Sequence, residues 1–370
     1  MNVLLTDATD IFAGGEDYVL TLARYLARRG HSVWVSASPG HLLLRKCTEA
    51  SLPVVPVEYG GMARVFQVSR VLRRAMRERS ITIVHSNANY DRTCAAIAAA
   101  GTSAKHVAGV HSTHSIRHNI THALRNRFGA SHFITDADAG REVLLREDGI
   151  PPGKVTTIPI GIESDPDEVR MPLRARTRSA MGIDEKTVVV GNVARLVPFK
   201  GHRFLLEAAA LIARERTDVL FLIVGDGELE DSLKAQADAL GIGGSVRFLG
   251  FRDDLRDLYP AFDVYCHSSI DLASEMFPIA ILRALASALP VVSTDVGGIA
   301  AMIEEGHSGY LTPAEDPAAL ALALLGLIAD GDRRKSFGRA SFALYERRYT
   351  APAMAENVEK VYRHVTEDPR

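Results

Sequence analysis

Cysteine is scarce in this 370-residue chain: Cys47, Cys94 and Cys266 are odd in number and far apart. A disulfide framework is thereby excluded, and free thiols in a reducing, cytoplasmic setting are expected. An excess of one charge is also missing. Lys and Arg number 43 against 45 Asp and Glu, a net charge of −2, so no general polyanion-binding character and no nucleic-acid partner is expected. Long apolar runs are absent; the longest, Ala318 to Ala329, is too short to span a bilayer. Met1 to Asp7 has no basic leader and does not read as a signal peptide. Disorder is excluded by 47% hydrophobic residues and the small net charge.

At about 100–200 residues per domain, the length predicts about two domains. Residues 1–165 hold 19 Lys and Arg against 15 Asp and Glu, with nine of the thirteen histidines. Short β-branched runs alternate with helical patterns: Val3–Thr6, a helix from Glu16 to Arg29 closed by Gly30, Ser32–Ala37, Val54–Val57, a helix from Val65 to Arg77, then Ile81–His85, Lys105–Val110 and His132–Thr135. Glu163 to Arg178, charged and carrying Pro166 and Pro172, reads as a linker. The alternation restarts with Thr187–Val193, Val219–Val224, Val246–Leu249 and Pro290–Ser293, and helices close the chain from about Pro317. The expected fold class is α/β: two doubly wound Rossmann-like domains in tandem, with a ligand site in the cleft between them.

Several short motifs carry chemistry. Gly14-Gly15-Glu16 joins the first strand to the first helix, where backbone N–H groups approach an anion closely. It is not the G-x-G-x-x-G dinucleotide fingerprint, which disfavours a nicotinamide-dependent dehydrogenase. Arg195 and Lys200 flank a loop that ends at Gly201, the opening of a helix. Two cations beside a helix N-terminus suit a diphosphate leaving group. In an open cleft, Lys200 should matter little to folding. Glu275, ahead of the helix from Ile281, reads either as a dipole partner or as a carboxylate accepting sugar hydroxyls, with the N–H groups of Phe277 and Ile279 toward phosphate oxygens. The motif begins at Ser274.

In order along the chain stand Gly14-Gly15-Glu16, His111-Ser112, Gly161-Ile162-Glu163, Arg195 to Gly201, Val224 to Gly227, Phe248 to Phe251, Glu275 to Pro278 and Pro290 to Gly298. This series resembles the retaining nucleotide-sugar glycosyltransferases of family four, over nearly the whole chain. The resemblance implies the GT-B architecture, two Rossmann-like domains facing each other across a cleft. It implies an acceptor-side domain at 1–165, a nucleotide-sugar domain at 166–348, and a closing helix at 349–370 that crosses back onto the first domain. Arg195 and Lys200 would hold the donor diphosphate, lined from the other domain by Gly14 and Gly15. Gly250, Phe251 and Arg252 would flank the base. Glu275, with Phe277, Pro278 and Ile279 behind it, would bind the sugar, and His111 would lie at the sugar and acceptor side. The donor is a nucleotide diphosphate sugar, the acceptor a glycan or lipid-linked hydroxyl, and no cofactor is expected.

The sequence departs from the family in places. Arg283 stands where a second glutamate usually takes the ribose hydroxyls, and a guanidinium cannot accept hydrogen bonds. Met276 and Ala288 replace common glycines, and Ala301 an acidic residue. A non-catalytic nucleotide-sugar-binding subunit is therefore the alternative. No Asp-x-Asp metal motif is suitably located, and Asp253-Asp254 reads as a helix cap, so metal-independent transfer is expected. His114, His118 and His122 have the spacing of one helix face; a metal site there is disfavoured without a nearby Cys or carboxylate. Arg64 to Arg79 holds six Arg interleaved with apolar residues. It reads as a basic amphipathic helix, either half-buried or lying on an anionic membrane face.

Overall fold

The computed structural model describes residues 1–9, 14–112, 114–117, 119–270 and 275–367. The chain divides into two compact units, Met1–Ile162 with Tyr349–Arg370, and Glu163–Arg348. The described residues of the first unit form a six-stranded parallel sheet from β1 (Asn2–Thr6), β2 (Ser32–Ser36), β3 (Ile83–Ser86), β4 (Lys105–Val110), β5 (His132–Thr135) and β6 (Val155–Thr157). The helices between them are α1 (Gly14–Arg28), α2 (Leu42–Glu49), α3 (Val65–Glu78), α4 (Asn89–Ala99), α5 (Ile120–Phe128) and α6 (Asp138–Arg146).

The second unit repeats the plan with α7 (Asp167–Ala180), β7 (Val188–Val193), α8 (His202–Ala213), β8 (Val219–Val224), α9 (Glu230–Ala239), β9 (Val246–Phe248), α10 (Leu255–Leu258), β10 (Val264–His267), α11 (Ile279–Ala286), β11 (Val291–Thr294), β12 (Gly309–Thr312), α12 (Pro317–Ile328) and α13 (Gly331–Arg348). α14 (Ala351–Glu367) returns to the first unit. There Arg29 reaches Glu359 at 2.5 Å, and Ile162 and Thr350 form a parallel bridge.

Strands covered by helices on both faces are apolar throughout, and every residue of β8 is buried. The core of the second unit gathers Val190, Phe221, Ile223, Leu206 and Leu324; that of the first gathers Leu4, Val84, Leu72 and Met76. Strand order fixes where ligands can approach. It runs β2-β1-β3-β4-β5-β6 in one sheet and β12-β11-β10-β7-β8-β9 in the other. The direction of winding reverses between β1 and β3, and between β7 and β10, and crevices open at the carboxyl ends of such strand pairs.

Four expectations are corrected. The supposed linker is α7, with Pro166 as its N-cap and Pro172 inside it. Of its arginines only Arg176 is exposed. Arg178, only 1% exposed, donates to the carbonyls of Ala261, Asp184 and Thr187 and to Asp263. Those bonds hold the helix despite the N–H lost at Pro172. Val54–Val57 makes a single bridge to Val35 rather than a strand, since Pro56 supplies no donor. Asp254 occupies the N-cap of α10 without capping it, because its carboxylate pairs with Arg252. The three histidines do not share a helix face: α5 begins at Ile120, capped by Asn119, and His114 lies in the preceding loop. His118 lies outside the described residues.

Candidate functional site

In the second unit the loop leaving β7 carries Arg195 and Lys200. Leu196 N–H donates to the Asp226 carbonyl at 2.7 Å and Leu229 N–H to the Leu196 carbonyl at 3.0 Å, so the loops after β7 and β8 brace each other. Both cations lean on one ring, with the Arg195 guanidinium 5.9 Å and the Lys200 ammonium 5.2 Å from the centre of Phe199. Gly201 turns the chain into α8 at φ +65°, where a side chain is strained and a Cβ would collide with the Ser268 carbonyl. The turn carries Lys200 to the loop that follows β10.

There Lys200 forms an ion pair with Glu275, whose side chain is 3% exposed. Ser269 donates to the same carboxylate oxygen at 2.6 Å, and His267 Nε2 lies 3.4 Å from it. Burial works against charge on Glu275. The His267 hydrogen bond and the Lys200 charge outweigh it and hold the carboxyl at about 2. Burial also keeps His267 below its ordinary value despite Glu275, so the ring is neutral at pH 7. Tyr265 hydroxyl stands 3.4 Å from His267 Nδ1, and the Gly298 N–H holds the Glu275 carbonyl at 2.8 Å. An ammonium and a carboxylate, side by side and hydrogen-bonded, thus stand at the winding reversal between β7 and β10.

The first unit concentrates polar groups at its own reversal. Asn87, just beyond β3, donates to Asp7 at 2.6 Å and to the Gly15 carbonyl at 3.3 Å. Thr9 donates its backbone N–H to Asp7 at 2.9 Å and its hydroxyl to the buried Glu16. His111 follows β4 and binds both oxygens of Asp136 through Nδ1 at 2.8 Å. Burial opposes its charge, but Asp136 prevails and holds the imidazole above its ordinary value. The Tyr18 ring meets it edge-on at 4.9 Å.

Of the expected site residues, Lys200 and Glu275 meet at one reversal, while Arg195, on the same loop as Lys200, is exposed and among the described residues reaches only Phe199. Phe277 is half-buried, Pro278 caps α11, and Ile279 opens it; Ser274 lies outside the described residues. Gly250, at φ +63°, accepts from Gly225 N–H at 2.8 Å, which ties it to the loop after β8. Phe251 is 66% exposed, and Arg252 pairs with Asp254. Arg283 is half-buried on α11, close enough to Tyr259 for its charge to be felt there. Gly14 and Gly15 open α1; residues 10–13 before them lie outside the described residues. Ala288 has φ +56°, which is why glycine is common at its position. Sequence reasoning missed His267, Ser269, Asp136, Tyr18 and Asn87. For all but Tyr18, which lies on α1, the one available signal was a position just inside or beyond a strand end.

The profile of glycosyl transferases group 1 matches residues 174–343, and that of glycosyltransferase family 4 matches residues 12–166. A D-inositol 3-phosphate glycosyltransferase of Corynebacterium urealyticum is 36% identical over 202 residues, 52% of this chain and 46% of that protein. A second, from Catenulispora acidiphila, is 33% identical over 65% of this chain and 58% of its own length. The chain thus spans about half the length of these curated relatives. A phosphatidyl-myo-inositol mannosyltransferase of Mycolicibacterium smegmatis is 27% identical over 96% of this chain and 92% of that one. Among solved structures, a glycosyltransferase from Rickettsia africae superposes with a TM-score of 0.87 at 18% identity, covering 99% of each chain. HepE of Anabaena, in complex with UDP and glucose, gives 0.81 at 23% identity over 97% and 98% of the two chains. With both halves matched in order, and two parallel sheets like those of the solved structures, the chain has the GT-B fold and belongs to glycosyltransferase family four.

Proposed function

We propose that this protein is a retaining glycosyltransferase that moves a sugar from a nucleoside diphosphate sugar to a hydroxyl acceptor in glycolipid or cell-envelope glycan synthesis. The observation that carries the reading is the buried Lys200–Glu275 pair at the reversal between β7 and β10. An ammonium beside a carboxylate divides the donor between them. Lys200, with Arg195, meets the diphosphate oxygens, while Glu275 keeps one oxygen for the hydroxyls of the sugar. The bond from the anomeric carbon to the phosphate oxygen breaks as the acceptor oxygen bonds to that carbon on the same face. The acceptor proton passes to the departing phosphate. Charge growing on that phosphate is met by fixed cations, and no divalent ion is required. His111 serves the sugar and acceptor side in the first unit.

The relatives act on inositol phosphates or phosphatidyl-inositol by name, which makes a polyol phosphate or its lipid the first acceptor to try. Purified protein mixed with UDP-, GDP- and ADP-sugars and such acceptors, in the presence of EDTA, should release nucleoside diphosphate and form a product of retained configuration. A donor that binds without turnover across the panel would favour the non-catalytic subunit instead, the reading that Arg283 keeps open. Peripheral membrane contact through Arg64 to Arg79 is part of the proposal. It is favoured by Met62, Phe66 and Val71, which are 64%, 68% and 42% exposed beside Arg70 and Arg77.

A further inference from the structure

Three buried polar atoms without a hydrogen-bond partner among the described residues gather at the end of β4: the hydroxyl of Tyr18 and the Nε2 atoms of His85 and His111. The two imidazoles converge on Gly109. A Cβ there would lie 3.0 Å from His111 Nε2 and 3.3 Å from His85 Nε2, so only glycine leaves both rings room. The Tyr18 ring lies against both, at 4.9 Å and 6.3 Å between centroids. The other nitrogen of each ring is committed. His111 Nδ1 is bound to Asp136, and His85 Nδ1 to the Tyr362 hydroxyl at 2.7 Å.

Both nitrogens border the space beside Gly109 without hydrogen-bonding each other, and two N–H groups directed into it would repel, which favours a single proton between them. Asp136 decides which ring that is, because its carboxylate stabilises a cation on His111. His85 has no carboxylate partner. Burial, His111 and His106 push it down to about 3, so it is neutral. We propose that Tyr362 and His85 are positioning residues for His111: the Tyr362 oxygen accepts from His85 Nδ1–H, which leaves a lone pair on His85 Nε2 beside Gly109, where its field favours a proton on His111 Nε2. This rests on the reading of His111 as a residue of the transfer reaction. It makes the closing helix α14 part of the machinery, through a tyrosine that touches no substrate.

The charges that act on His111 come from Asp136 beyond β5, Asp7 beyond β1 and Arg92 on α4; the Tyr18 ring lies edge-on to it, His85 across Gly109, and His106 acts on His85 from behind. Against that fixed background the test removes single atoms. In full-length protein with 15N-labelled imidazoles, the His111 titration is followed by NMR beside the pH profile of kcat/KM. Tyr362→Phe removes only the hydroxyl. His85→Asn keeps a group at Tyr362 and loses the one facing His111, whereas His85→Gln retains a group near Nε2. The first two should lower the His111 midpoint by about half a pH unit or more, with the profile moving alongside, and His85→Gln should stay closer to the parent. A midpoint unmoved or raised in folded Tyr362→Phe and His85→Asn overturns the positioning role. Turnover that survives His111→Ala overturns instead the reading beneath it, and the titration still decides the relay.

Discussion

Lys200 and Glu275 are separated by 75 positions and meet as a pair with side chains 16% and 3% exposed. The expectation that Lys200, as a loop cation in an open cleft, matters little to folding does not fit a side chain paired with a buried carboxylate. Removing it strands a buried carboxylate. Lys200→Ala should abolish turnover and also lower the stability of the second unit by about 3–5 kcal/mol. The double variant Lys200→Met, Glu275→Gln should regain most of that stability and none of the activity. Urea unfolding beside a donor-turnover assay measures both, and an unchanged midpoint in Lys200→Ala would remove the ion pair from the account. Ala288 offers a test in the other direction. Its φ of +56° is unfavourable for an alanine, so Ala288→Gly should stabilise by about 0.5–1 kcal/mol even after the glycine's larger unfolded-state entropy is counted. The same unfolding curves read it.

Among the elements, α3 shows what its amphipathic pattern does and does not settle. Val65, Val68, Leu72 and Met76 are buried, as the spacing predicts. Four of the six arginines are engaged within the protein: Arg64 with Glu58, Arg73 with the carbonyls ending α4, and Arg74 and Arg79 with Glu78. The outward face is narrower and more apolar than composition implied. Phe66→Asp should reduce sedimentation with anionic phosphatidylglycerol vesicles several-fold while leaving circular dichroism unchanged; equal sedimentation of both proteins would end the membrane proposal. The helix α7 was hidden from sequence reasoning because its prolines and arginines mimic a solvated linker, and only the folded carbonyls reveal what the arginines bind. Legibility followed the length of the apolar run. The runs at β7 and β8 were plain, whereas β6, β10 and β12, at three or four residues with polar members, gave no readable period. Glu275 was found through its family motif, but His267 and Ser269, which hold it, belong to a strand end that local pattern could not see.

Across the whole molecule, buried neutral histidines make stability depend on pH. Burial pushes His85 to about 3 and His106 and His132 to about 4 in the first unit, and His202 to about 3 in the second. Each folded value lies below the unfolded 6.5, so the unfolded chain binds more protons in between. Their contribution is complete above pH 6.5 and is lost as pH falls toward 3 to 4. His111, held upward by Asp136, works oppositely near neutrality, and so does Asp91, which burial and Asp7 push up to about 7, but the three histidines outweigh them. Unfolding free energy of the first unit should fall on going from pH 7 to 5, with a slope of up to about 3 kcal/mol per pH unit. A flat profile would mean those rings charge without cost. The discontinuous make-up of that same unit bears on biogenesis. Residues 349–370 are its last portion, and they leave the ribosome only after all of residues 163–348. A nascent first unit waits for its final segment, with the α1 surface that receives Glu359 exposed meanwhile, while the intervening unit can already be complete. Early termination before Tyr349 would therefore injure the part of the protein made first and spare the part made second.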